Sequence, residues 1–168
     1  MEEILNDKSF MKKVIIVHGY TSSPNKKKYK ILSRELSNLG IDYSIPALPG
    51  GDFPHSREWL EIIGREVKDS KGPVVLVGHS LGTRAILLYL DKFEVKVDKV
   101  ILIAALNNNE KENSRRRDKG YVDFFEYVID INKIKERANK FVVIHLKDDD
   151  VVDCAQGVEI ANVIWGRN

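Results

Sequence analysis

Three short stretches of this chain carry residues whose types and spacing can do chemistry. The first is Gly78-His79-Ser80-Leu81-Gly82, a serine with glycine two positions away on either side. A serine on a very sharp strand-to-helix turn sits in strained backbone geometry, and small residues at those two positions avoid clashes. Held there, Ser80 can attack a carbonyl, with a helix N-terminus and the backbone N–H of Leu81 beside it. The alternative is a plain turn with an incidental serine. The second stretch is His18-Gly19-Tyr20. Glycine frees the backbone, so that the N–H of Tyr20 can join that of Leu81 on a developing oxyanion. The alternative here is a tight strand-to-helix turn. The third is Asp148-Asp149-Asp150-Val151-Val152. Asp-x-x-Val after a late strand is where the acid of a Ser…Asp…His chain order belongs. Asp149 has that spacing to Val152, Asp148 and Asp150 stay open as the acid, and a solvated acidic turn is the competing reading.

The elements that must position these groups alternate between strand and helix. Lys12–His18 predicts a strand, and Lys26–Leu39 a helix with Tyr29, Leu32, Leu36 and Leu39 on one face, stopped by Gly40. Ile41–Ile45 is a short strand and Pro46–Pro54 a loop rich in breakers. Ser56–Lys68 is a helix turning Trp59, Leu60, Ile63 and Val67 inward. Val74–Val77 is a buried strand that runs into the serine turn and a helix through Leu90. Val97–Ala104 is the next strand, Asn107–Lys119 a polar loop, and Tyr121–Ala138 holds helical segments. Phe141–Leu146 is a strand, Asp153–Ile160 a helix, and Ala161–Trp165 a last strand. Near-continuous apolar strands between helices mean a parallel sheet covered on both faces. The expected fold is therefore α/β: a doubly wound, mostly parallel sheet of about six strands, with the chemistry at the carboxyl ends of the strands.

Composition narrows the function. A chain of 168 residues with 43% hydrophobic and 31% charged content suits one soluble domain, expected over residues 12–168 behind an arm of residues 1–11. A net charge of +2 gives no reason to expect nucleic acid. Lys26–Lys28 and Arg115–Arg117 therefore read as solvated surface. The single Cys154 fits a reducing compartment. No run has the length of a membrane span, and the first ten residues lack the pattern of a signal peptide, so the expected location is cytoplasmic. Metal-ligand spacing and phosphate-cradling glycine loops are both missing from the sequence, so neither a metal nor a cofactor is expected.

The His-Gly-Tyr-Thr-Ser-Ser-Pro loop, Gly-His-Ser-Leu-Gly and Asp-Asp-x-Val-Val together resemble the α/β-hydrolase superfamily. More narrowly, the chain resembles the small, lidless serine hydrolases typified by retinoblastoma-binding protein nine. Pro46-Ala-Leu-Pro49 leading to Pro54 and Trp59 is similar to that family's proline-rich stretch before a tryptophan-bearing helix. The likeness runs from Lys12 onward. It implies acyl transfer to water through an acyl-enzyme on Ser80, with a small ester or amide as substrate.

Two positions depart from that pattern. Asp153 stands where the family usually has proline. The family's general-base histidine follows one further helix and strand, whereas here that helix and strand lead to Gly166-Arg167-Asn168 and no histidine follows Asp149. The domain is therefore expected to lack its C-terminal histidine loop and helix. The histidines present are His18, His55, His79 and His145. His18 is expected to support the loop after the first strand together with Gly19. His79 is expected to pack with its ring turned away from Ser80, and His145 to be a satisfied core residue. His55, on a loop near the site, is a remote substitute for the base. Two readings follow: a serine hydrolase impaired in this chain, and a non-catalytic binding protein of the same fold with a protein partner.

Overall fold

The structure, a computed structural model, describes residues 12–107 and 120–166. The expected arm of residues 1–11, the loop over 108–119 with Arg115–Arg117, and the last two residues lie outside the described residues.

The chain alternates β1 (Lys13–Val17), α1 (Lys27–Asn38), β2 (Asp42–Ser44), α2 (Ser56–Lys68), β3 (Val74–His79), α3 (Leu81–Phe93) and β4 (Val97–Ile103). After the undescribed loop come a 3₁₀ turn (Val122–Phe125), the short α4 (Ile131–Ile134), β5 (Ala138–Ile144) and α5 (Cys154–Trp165). The five strands form one sheet in the order β2-β1-β3-β4-β5, and every neighbouring pair is parallel. Right-handed crossovers then place α1 on one face and α2 with α3 on the other.

Strand and helix composition follow from this layering. β1 and β3 are Val-Ile-Ile-Val and Val-Val-Leu-Val runs because a central parallel strand is covered on both sides, and Ile15 and Leu76 are fully buried. Helix α3 is buried from Leu81 to Asp91, packed against the sheet, α2 and α4. Trp59 of α2 is 2% exposed; its indole N–H donates to the carbonyl of Pro49 at 2.9 Å. This bond ties the proline-rich loop to the helix that follows it.

One strand of the expected six is corrected. Ala161–Trp165 continues helix α5 instead of forming a strand. The β-branched Val163 and Ile164 suggest a strand, yet with Ile160 they form a helical stripe packed against the core. The helix ends where Gly166 takes a left-handed φ of 62°, its N–H bonding back to the carbonyls of Asn162 and Val163. The terminal glycine was thus the stop signal of a helix.

Candidate active site

The order of the sheet reverses between β1 and β3, because β2 lies outside β1 while β4 and β5 lie beyond β3. Such a switch point opens a crevice at the carboxyl ends of the two strands. Ser80 sits at its edge with φ 53° and ψ −122°. That conformation costs a non-glycine residue on the order of 1–3 kcal/mol and persists only where the surroundings over-determine it.

The surroundings do so. The Ser80 N–H donates to the carbonyl of Ile103 at 2.9 Å, pinning the turn to β4. The Thr83 hydroxyl donates to the Ser80 carbonyl at 2.6 Å and accepts from the N–H of Leu106 at 2.9 Å. Both flanking glycines are demanded by close approach. A Cβ on Gly78 would lie 2.8 Å from the backbone of Thr83, and one on Gly82 would lie 2.1 Å from the Val17 carbonyl oxygen. The first turn of α3 therefore rests directly on the backbone of β1.

The loop after β1 closes over this turn. A Cβ on Gly19 would come within 3.2 Å of both the His79 carbonyl oxygen and the Ser80 Cβ, so the loop passes at van der Waals distance. Thr21 is held at φ 50°. Tyr20 stacks edge-on against Tyr121 at 4.6 Å and donates its hydroxyl to the Asp52 carbonyl at 2.8 Å. His18 is buried beneath the loop: Nδ1 lies 2.9 Å from the Gly19 carbonyl, and Nε2 accepts from the N–H of Leu48 at 3.2 Å. Those partners place the proton on Nδ1, donated to Gly19. Burial holds the ring below the usual imidazole range against the opposing pull of the Gly19 carbonyl, so His18 is a neutral strut.

A cavity of 420 Å³ opens here, lined by Tyr20, Ser22, Lys28, His79 and Ser80 among others. His79 forms part of the cavity wall beside Ser80. Its Nδ1 lies 3.4 Å from the Lys28 ammonium. Burial lowers its pKa and Lys28 lowers it further, while Asp149 pulls it back up. A roomier cavity of 500 Å³ lies around Lys13, Asp42 and Gly72, at the amino ends of the strands and away from all three motif-bearing loops.

The acidic stretch forms the turn between β5 and α5. Asp149 accepts the N–H groups of Val151 and Val152 on one carboxylate oxygen, both at 2.9 Å. Its other oxygen is 3.7 Å from His145 Nε2. The Val152 and Val151 N–H groups hold the carboxyl below its ordinary range despite some desolvation, helped by His145 and His79. Asp148 and Asp150 are exposed. His145 donates from Nε2 to the Val152 carbonyl at 2.9 Å, leaving its buried Nδ1 without a partner among the described residues. His55 is exposed at the start of α2 and does not line the cavity.

Arg84 has no counterpart in the sequence reading. It is fully buried on α3 and donates to the carbonyls of Phe124 at 2.9 Å, Asn107 at 3.1 Å and Tyr127 at 2.7 Å. Its guanidinium lies 4.9 Å from the Phe125 ring centre. It staples the segment beyond the undescribed loop to the helix that carries the serine turn. An arginine immediately before the apolar run Ala85-Ile-Leu-Leu88 is the available signal. Among the described residues no cluster of three His, Cys, Asp or Glu is placed to hold a metal, and no helix is long and apolar enough to cross a membrane.

Comparison with known proteins gives the arrangement its relatives. Residues 14–167 match the family described as serine hydrolase. YdeN of Bacillus subtilis, a protein named as a hydrolase, is 27% identical over 155 residues, which span 91% of this chain and 79% of YdeN. The crystal structure of the B. subtilis ydeN product superposes with a TM-score of 0.77 at 26% identity, covering 92% of this chain and 81% of that one. Est1E from Butyrivibrio proteoclasticus shares the fold at a TM-score of 0.68 and 16% identity, over 94% of this chain and 76% of its own.

Proposed function

The chain belongs to the serine hydrolase family, and we propose that it cleaves a small ester or amide through an acyl-enzyme on Ser80. The observation that carries this reading is the strained Ser80 backbone, wedged between two glycines that have no room for a Cβ. Ser80 Oγ attacks the substrate carbonyl carbon, and the leaving group departs with a proton as the acyl-enzyme forms. Water then attacks the ester, regenerating the hydroxyl and releasing the acid. The backbone N–H groups of Leu81 and Tyr20 face the developing oxyanion; the first N–H groups of a helix have no intrahelical acceptor, which suits Leu81 to the task. Asp149 is the acid of the triad, held ionised by two backbone N–H groups.

The base is the weak point. His18 and His145 are engaged in backbone bonds, His55 is outside the cavity, and His79 faces Lys28. Serine without a positioned base is a poor nucleophile at neutral pH; in a comparable triad loss of the histidine costs about 10⁶ in turnover. We therefore propose that this 168-residue chain acylates slowly. The same observation favours a second reading, a binding protein that keeps the cavity and has a protein partner. The lone Cys154 supports a reducing, cytoplasmic setting.

Labelling with a neutral alkyl fluorophosphonate tests the assignment. Slow, stoichiometric labelling that disappears in Ser80→Ala is expected. A folded protein that is never labelled, or one labelled equally in Ser80→Ala, overturns Ser80 as the nucleophile and leaves the binding reading.

A further inference from the structure

The cavity beside Ser80 carries a charge that its chemistry does not require. Lys26 and Lys28 both line it and no carboxylate does. Among the described residues neither lysine makes an ion pair with an acid. Lys28 instead leans on two neutral groups: its ammonium is 3.4 Å from His79 Nδ1 and 5.1 Å from the Tyr29 ring centre. An ammonium donating to Nδ1 requires that nitrogen to be unprotonated, so the ring partner is a neutral imidazole and cancels no charge. Surface lysines are ordinarily left to water. This one, exposed in the first turn of α1, lies against a half-buried ring in the cavity wall.

From this placement we propose, building on the hydrolase reading above, that Lys28 is a specificity residue selecting substrates whose acyl group ends in an anion, such as the half-esters of short dicarboxylic acids. The carbonyl to be attacked lies at Ser80 while the distal carboxylate reaches the Lys28 ammonium along the wall formed by His79. Lys26, at the N-terminus of the same helix, adds to the field. Desolvation and the neighbouring Lys26 lower the Lys28 pKa, the mark of a cation whose environment lacks a counter-ion. Asp149 does not line the cavity but is near enough to raise the His79 pKa, so an anion extending past that ring meets a like charge.

The test compares two fluorophosphonates of equal length, one ending in a carboxylate and one in the primary amide. In the unmodified chain the carboxylate probe is expected to label Ser80 about fivefold faster, the size of one partly exposed charge pair. Lys28→Met should bring the ratio to about one, and Lys28→Glu should reverse it. Equal rates in the unmodified chain, or a preference that persists in Lys28→Met, overturn the proposal. A binding arm separates this from the nucleophile assignment: the His79 ring ¹⁵N resonances are followed during titration with monomethyl glutarate. Saturable shifts that vanish in Lys28→Met support the anion site even where neither probe labels Ser80, an outcome that sinks the hydrolase reading alone. An absence of shifts in the unmodified chain sinks the anion site.

Discussion

The two halves of the candidate site are built to different tolerances. On one side, the Ser80 turn is enclosed by backbone: β1 behind Gly82, Thr83 against Gly78, and the Ile103 carbonyl on the Ser80 N–H. On the other, the Asp149 turn lies at the open edge of the sheet, where Ile144, Leu146, Val151 and Val158 are all exposed and the contacts that fix the acid come from its own turn. Backbone does not yield, while a turn that closes on itself can be displaced as a unit. The serine side should therefore be brittle and the acid side forgiving.

A matched pair of substitutions measures the contrast. Gly82→Ala drives a Cβ to 2.1 Å from the Val17 carbonyl oxygen, whereas Gly157→Ala meets the His145 ring at 2.6 Å. The first is expected to cost about 3 kcal/mol or more in urea unfolding, because the obstacle is a central strand. The second should cost only about 1 kcal/mol, since a ring can shift and alanine favours the helix. Equal losses would erase the distinction.

Arg84→Met extends the comparison to the staple behind the serine helix. The substitution keeps the stem and removes the donors, leaving three carbonyls with fewer partners. A loss of about 3 kcal/mol is expected, with faster proteolysis between Gly120 and Tyr127. A variant as stable as the parent would mean that those carbonyls find water.

Part of the serine side was legible because some of its constraints are local. In Gly-x-Ser-x-Gly the approach of Gly78 to Thr83 is local, although that of Gly82 to Val17 is set by the fold, and the apolar runs of β1 and β3 announce central parallel strands. Thr83 and Arg84 were not legible as fasteners, since their partners Leu106, Phe124 and Tyr127 are brought near only by the fold. The same reason hid the contact between the His79 ring and Lys28, which depends on where α1 delivers that lysine. The last helix was misread as helix plus strand because Val163 and Ile164 favour strands, while their packing against the core imposed a helical repeat.

Strain gives a sign that contacts alone do not. Ser80 pays a backbone penalty at φ 53° that glycine would not. Ser80→Gly should raise stability by about 1 kcal/mol, while Ser80→Ala, which keeps a Cβ in the same conformation, should leave it nearly unchanged. A destabilised Ser80→Gly would mean that the hydroxyl contributes more to the fold than the strain takes away.

The acid side offers the smallest effect, and it is distinguished by its dependence on pH. The folded pKa of Asp149 is depressed by the Val152 and Val151 N–H groups, so folding favours the carboxylate. The resulting stability is fully present above the unfolded value near pH 4 and is lost as pH falls through the folded value below it. Asp149→Asn keeps an acceptor oxygen for the two N–H groups but removes the charge. Its deficit against the parent is expected to be about 1 kcal/mol or less at pH 7 and to close as the pH is lowered below about 4. Urea midpoints of both proteins at pH 7, 5 and 3.5 would follow that closure. A deficit that stays constant across the range would show that the turn is held by the shape of the side chain and not by its charge.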